Sequence, residues 1–82
     1  MGILKPRYSK EEFTSRGKAI YENEIRPKVT AEQGQFVAID IETGNFEVDR
    51  DDFAATDRLL ARTPDAQIWL CRVGHPTAYR IG

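Results

Sequence analysis

Six carboxylates crowd one short stretch of this 82-residue chain: Asp40, Glu42, Glu47, Asp49, Asp51 and Asp52. On extended backbone Asp40 and Glu42 share a side, and across a turn Glu47 and Asp49 join them. Clustered carboxylates are what a hard divalent cation takes, and two of them across a gap could act as a glycosidase-type acid/base pair. The spacing argues against both. Asp40-Ile41-Glu42-Thr43-Gly44 superficially looks like a calcium loop, but the glycine comes one place early and Asn45 stands where glycine is needed. Nothing supplies a substrate platform, and so short a chain has little room for one. Like charges across a strand pair cost some tenths of a kcal/mol, roughly. A solvated strand face, partly neutralised by Arg72 or Arg80 on neighbouring strands, is therefore the simpler expectation. No catalytic residue, metal ligand, cofactor or small-molecule substrate is assigned.

The other reactive side chains are sparse. His75 is the single histidine and Cys71 the single thiol. The first reads as a turn residue before Pro76, the second as a small buried hydrophobe on a strand. Arg58 and Arg62 stand one helical turn apart and could grip an acidic partner or a phosphate. The plainer reading is a solvated helix face with Asp57 and Asp65 as local partners. No Gly-rich phosphate loop, zinc spacing or helix-turn-helix pattern occurs.

The carboxylates are positioned by the strongest pattern in the chain, Gln35 to Asp49. Val37, Ile39 and Ile41 alternate with Phe36, Ala38, Asp40 and Glu42, and Phe46 and Val48 with Glu47 and Asp49, about a Thr43-Gly44-Asn45 turn. This spacing predicts a β-hairpin pairing Ile41 with Phe46 or, with a longer loop, with Val48. Either way the parity is the same, because a one-residue slip would bury carboxylates. Before it, Ser9 three residues ahead of Glu12 is a capping box. It opens a helix with Phe13, Gly17, Ile20, Tyr21 and Ile25 at helical spacing, ending or kinking at Arg26 before Pro27. After it, Asp51 and Asp52 open a second helix burying Phe53, Thr56, Leu59, Leu60 and Thr63, stopped by Pro64. Ala66 to Val73 is apolar almost throughout, as in a strand covered on both faces. Gly74 to Thr77 is expected to turn into a last strand, Ala78 to Ile81.

The order α-β-β-α-β-β predicts an α+β two-layer domain over residues 9–82, after a mobile tail at 1–8. A right-handed crossover gives a mostly antiparallel sheet of order 2-1-3-4, with both helices on the Val37/Ile39/Ile41 face. With 12 basic and 13 acidic side chains, the near-zero net charge argues against nucleic-acid binding by bulk positive potential. One cysteine excludes an internal disulfide. No apolar run could cross a membrane and no signal-peptide pattern appears, so the expected location is the cytoplasm.

The string VAIDIETGNFEVDRDDFAATDRLLARTPDAQIWLCRVGHPTAYRIG resembles a group of short bacterial proteins, largely cyanobacterial. The matching pieces are Val37 to Gly44, Asp49 to Leu60 and Arg72 to Gly82; with the first helix they cover about nine-tenths of the chain. The resemblance brings no catalytic residue. It implies genes lying beside those for small retropepsin-like aspartic proteases or toxin-type proteins, and hence an antitoxin-like or other partner-binding role.

The resulting expectation is a non-enzymatic module that binds a protein partner or itself. The alternatives are a small metal-dependent or hydrolytic domain using the acidic hairpin face, and a nucleic-acid-linked regulator using the arginines. The candidate contact surface is the sheet face left bare by the helices: Phe36, Ile68 and Leu70, rimmed by Asp40, Glu47, Arg72 and Arg80. Arg58 and Arg62 form a second candidate patch, and the edge strands at Asn45–Asp49 and Thr77–Ile81 a route through strand addition.

Overall fold

Ser9 starts the first helix as its spacing predicts. Its Oγ accepts the Glu12 N–H at 3.1 Å, and Glu12 Oε1 accepts the Ser9 N–H at 3.1 Å. A computed structural model describes residues 8–80, the side chains of 75–80 excepted; residues 1–7 of the expected tail lie outside the described residues. Helix α1 is Lys10–Ile20, and it runs on as a π turn, Tyr21–Ile25, and a 3-10 turn, Arg26–Lys28, around Pro27. Phe13, Gly17, Tyr21, Ile25 and Val29 are all buried. Residues four apart drift by about 40° per step around an α-helix. The wider π turn, in which the Arg26 N–H reaches back to Tyr21 O, takes back part of that drift and keeps Tyr21 and Ile25 on the sheet side.

Strands β1 (Phe36–Asp40), β2 (Phe46–Asp49) and β3 (Ile68–Arg72) form an antiparallel sheet in the order β2-β1-β3. Helix α2, Asp52–Arg62, connects β2 to β3. The backbone of β4, His75–Arg80, pairs antiparallel with β3. The β1–β2 register is Val37↔Val48 and Ile39↔Phe46, so neither expected pairing of Ile41 holds, though the parity does. The reason is Asp40. Its carboxylate accepts the Glu42 N–H at 3.0 Å and the Thr43 hydroxyl at 3.0 Å, while its carbonyl accepts the Gly44 N–H at 2.8 Å. These bonds draw 41–44 out of the ladder into a loop, with Gly44 at φ 81°. Asp40 also accepts the Gln67 N–H at 3.3 Å and is 1 % exposed, not part of a solvated face.

The expected two-layer arrangement is overturned. Val37, Ile39, Ile41, Trp69, Cys71 and Val73 pack with Phe13, Tyr21 and Ile25 of the first helical segment. Ala38, Ile68 and Leu70, on the opposite side of the same strands, pack with Ala55 and Leu59 of α2. The helices thus lie on opposite faces, and the sheet between them has apolar side chains on both. Trp69 sits on the α1 side. Phe53 does not join the α2 stripe: with Asp51 as N-cap, the buried positions are Ala55, Thr56 and Leu59, and Phe53 is 74 % exposed. The β3–β4 turn is also shorter than expected. Arg72 pairs with His75 about Val73-Gly74, Cys71 pairs with Ala78, and an irregularity takes up the intervening residues. Gly74 supplies the positive φ, 83°.

Helix α1 approaches the sheet closely at Gly17. A Cβ there would overlap the Trp69 ring and come 2.8 Å from Trp69 Cβ. Gly17→Ala should therefore lower stability by about 1–3 kcal/mol through overpacking, although alanine favours helix by about 1 kcal/mol. Urea unfolding gives the sign, and a more stable variant would mean that α1 does not rest on Trp69 through this glycine.

Candidate functional site

Most of the expected contact surface is inside the protein. Ile68 and Leu70 are 2 % and 1 % exposed beneath α2. Phe36 is half-buried against the same cluster. Arg72, its cross-strand partner, lies over its ring with the guanidinium carbon 5.1 Å from the centroid and donates from Nε to Gly34 O at 3.1 Å. Arg72 therefore fastens the loop before β1 to the sheet. The side chains of Arg80 and His75 lie outside the described residues. Cys71 is 3 % exposed, and burial pushes its thiol up to about 12, far from a reactive thiolate.

The carboxylates do not come together as one acidic face. Asp40 is taken up by the turn, whereas Glu47 and Asp49 lie on the α2 side of β2 and meet Arg58 and Arg62. Arg58 Nε donates to Glu47 Oε1 at 3.0 Å and one terminal nitrogen to Asp49 Oδ2 at 2.8 Å. Arg62 lies 3.1 Å from Glu47 Oε2. Asp57 and Asp65, the partners expected from sequence, are not the ones these arginines use in these contacts. Asp49 is held below the usual carboxylate range, chiefly by the Arg58 hydrogen bond and next by the N–H of Asp51. Among the described residues no three His, Cys, Asp or Glu side chains form a group that could hold a metal, and no helix is long and apolar enough to cross a membrane. Among the described residues, an open hollow of about 360 Å³ is lined by Glu11, Glu12, Ser15 and Arg16 of α1.

What sequence reasoning missed is where the remaining arginine nitrogens go. Arg58 donates to Val48 O at 2.7 Å and Arg62 to Phe46 O at 3.3 Å. The Asp40 N–H donates to Asn45 O, so the alternation of an antiparallel ladder directs the backbone groups of 45, 47 and 49 towards β1 and those of 46 and 48 outwards. The two arginines therefore occupy the outward carbonyls of β2. Unpaired edge groups are the template for adding a foreign strand, and charged side chains on an edge are a known defence. At the β2 edge, expected as a route for strand addition, the outward carbonyls of Val48 and Phe46 are taken by Arg58 and Arg62 of α2. The signal was present in sequence as Glu47 and Asp49 two apart on a strand and Arg58 and Arg62 four apart on the helix that follows.

The opposite side of the sheet differs. The N–H of Ile41 bonds Gln67 O and that of Val73 bonds Gln35 O, so residues 67 and 73 of the third-strand segment face β1. By alternation 68, 70 and 72 face β4. Tyr79 is the register partner of Leu70. No family model, curated protein or solved structure matches the chain.

The Asp49–Arg58 contact gives a pH prediction. A carboxyl whose folded pKa is depressed contributes stability above its unfolded pKa, about 3.9, and loses it as pH falls through the lower folded value. Asp49 should titrate below an ordinary aspartate in a carboxyl-carbon NMR titration, and Arg58→Ala should move it upward. An unchanged midpoint in that variant would show that Arg58 does not hold Asp49 in solution.

Proposed function

We propose that this chain is a non-enzymatic protein-interaction module that binds its partner by strand addition at β4. The reading takes the sheet order as β2-β1-β3-β4, with β4 outermost, which its register against β3 supports. The observation that carries it is the inequality of the two edges. The β2 carbonyls are occupied by Arg58 and Arg62, whereas β4, outermost in that order, is paired on one side, with β3. An extended segment adding there would gain main-chain hydrogen bonds, with side-chain pockets setting specificity. The broader reading is antitoxin-like: a small cytoplasmic protein acting on the product of a neighbouring gene, a protease or a toxin. Its support is the resemblance of the VAIDIETG hairpin and the RVG…YRIG segment to the bacterial group described above.

Ala78→Pro is the discriminating variant. In this reading proline at 78 removes an outward N–H and none of those that bond β3, and an edge strand tolerates it. Both forms are to be used as bait in the native host, with the neighbouring gene product included. The expected result is a partner captured by the unmodified chain and lost with a folded Ala78→Pro. A partner held equally by both would remove β4 as the binding edge.

A further inference from the structure

We propose that Arg72 anchors an anion-binding site: its guanidinium takes the carboxylate or phosphate group of a ligand end-on, through its two terminal nitrogens. The juxtaposition behind it is a fixed guanidinium, without an acid of its own, beside open space. The site is built on β1 and β3 and does not depend on what adds at β4.

The guanidinium is held from two directions. Nε donates to Gly34 O at 3.1 Å, and the central carbon lies over the Phe36 ring, 5.1 Å from its centroid. With Nε occupied, the pair of terminal nitrogens is the fork left for a planar oxyanion. A guanidinium already fixed in this way loses little rotamer freedom on binding. Gly34 keeps the approach clear. A Cβ built there would meet one heavy atom within reach, Arg72 Nη2 at 4.0 Å, so the ground beside that nitrogen is empty of other described atoms.

The acid that could have neutralised Arg72 is already used. Phe36 pairs with Asp49 on one side and with Arg72 on the other, which places the three in one row across the sheet. Asp49 Oδ2 accepts from Arg58 and Oδ1 from the Asp51 N–H. Glu47, the next acid along β2, is taken by Arg58 and Arg62. Arg26, Arg58 and Arg62 each meet a carboxylate; among the described residues none pairs with Arg72. Its contacts are a carbonyl and a ring, and neither cancels its charge. A ligand oxyanion would.

The test is a titration of the unmodified chain with inorganic phosphate and, separately, with acetate. Ionic strength is held constant with chloride, and the arginine Nε–H signals are followed by NMR. The expected result is a saturable shift at Arg72 with at least one of the two anions and no comparable shift at Arg58 or Arg62. Binding should be about tenfold weaker in Arg72→Lys, which keeps the charge but loses one charge-assisted hydrogen bond of the fork. The anion that saturates at the lower concentration identifies the group the ligand carries. Shifts that stay linear in concentration, or that are alike at all three arginines, are charge screening only and overturn the proposal. A folded Arg72→Lys that binds as tightly as the unmodified chain overturns it too. Should that variant fail to fold, the titration of the unmodified chain decides by itself.

Discussion

The structure depends on one constraint: β1 has no solvent side. Val37, Ala38 and Ile39 are each 0 % exposed, so consecutive side chains, which point to opposite faces, are all covered. Two strands beside it and one helix on each face are needed to do that. Burying a side chain the size of valine or isoleucine is worth about 1.5–3 kcal/mol, and in a domain this small that is a large share of the total stability. Each helix is therefore committed to its face. Close approach is obtained with small residues, Gly17 against Trp69 on one side and Ala38 near Ala55 on the other.

The remaining features follow from covering that strand. β2 and β3 are both antiparallel to β1, hence parallel to each other, and α2 must cross over β1 to join them. That path lays α2 along β2, with Arg58 and Arg62 at the rim of the sheet. From there they reach Glu47, Asp49 and the outward carbonyls together. Acidic side chains on an edge strand and basic ones on the following helix thus serve packing and the occupation of edge carbonyls at once. Asp40 performs a comparable double task at the other end of β1, shaping the hairpin loop and holding the start of β3 through Gln67.

Much of this was legible in the sequence, and the part that was not has an identifiable cause. The capping box at Ser9, the helix start at Asp51 and the hairpin parity follow from local chemistry or period. The two-sided burial was legible too, since neither Phe36-Val37-Ala38-Ile39 nor Ile68-Trp69-Leu70-Cys71 contains a polar position. It was overridden by Glu47 and Asp49, whose charge suggests an open face. Charge on a strand does not mean solvent when arginines from a covering helix meet it, and that pairing joins residues 9 to 15 apart in sequence. The exposed Phe53 and the short Val73-Gly74 turn were missed for a related reason. Helix phase and turn length are set by packing partners elsewhere in the fold, and Pro76 suggested a turn where the strand is only irregular.

The claim that α2 closes the β2 edge is tested most directly by replacing both of its guards. The solution mass of Arg58→Ala/Arg62→Ala should be followed against concentration beside that of the unmodified chain. With the carbonyls of Phe46 and Val48 released, the double variant should form larger assemblies than the unmodified chain as concentration rises. A folded double variant whose mass matches the unmodified chain at every concentration would contradict it.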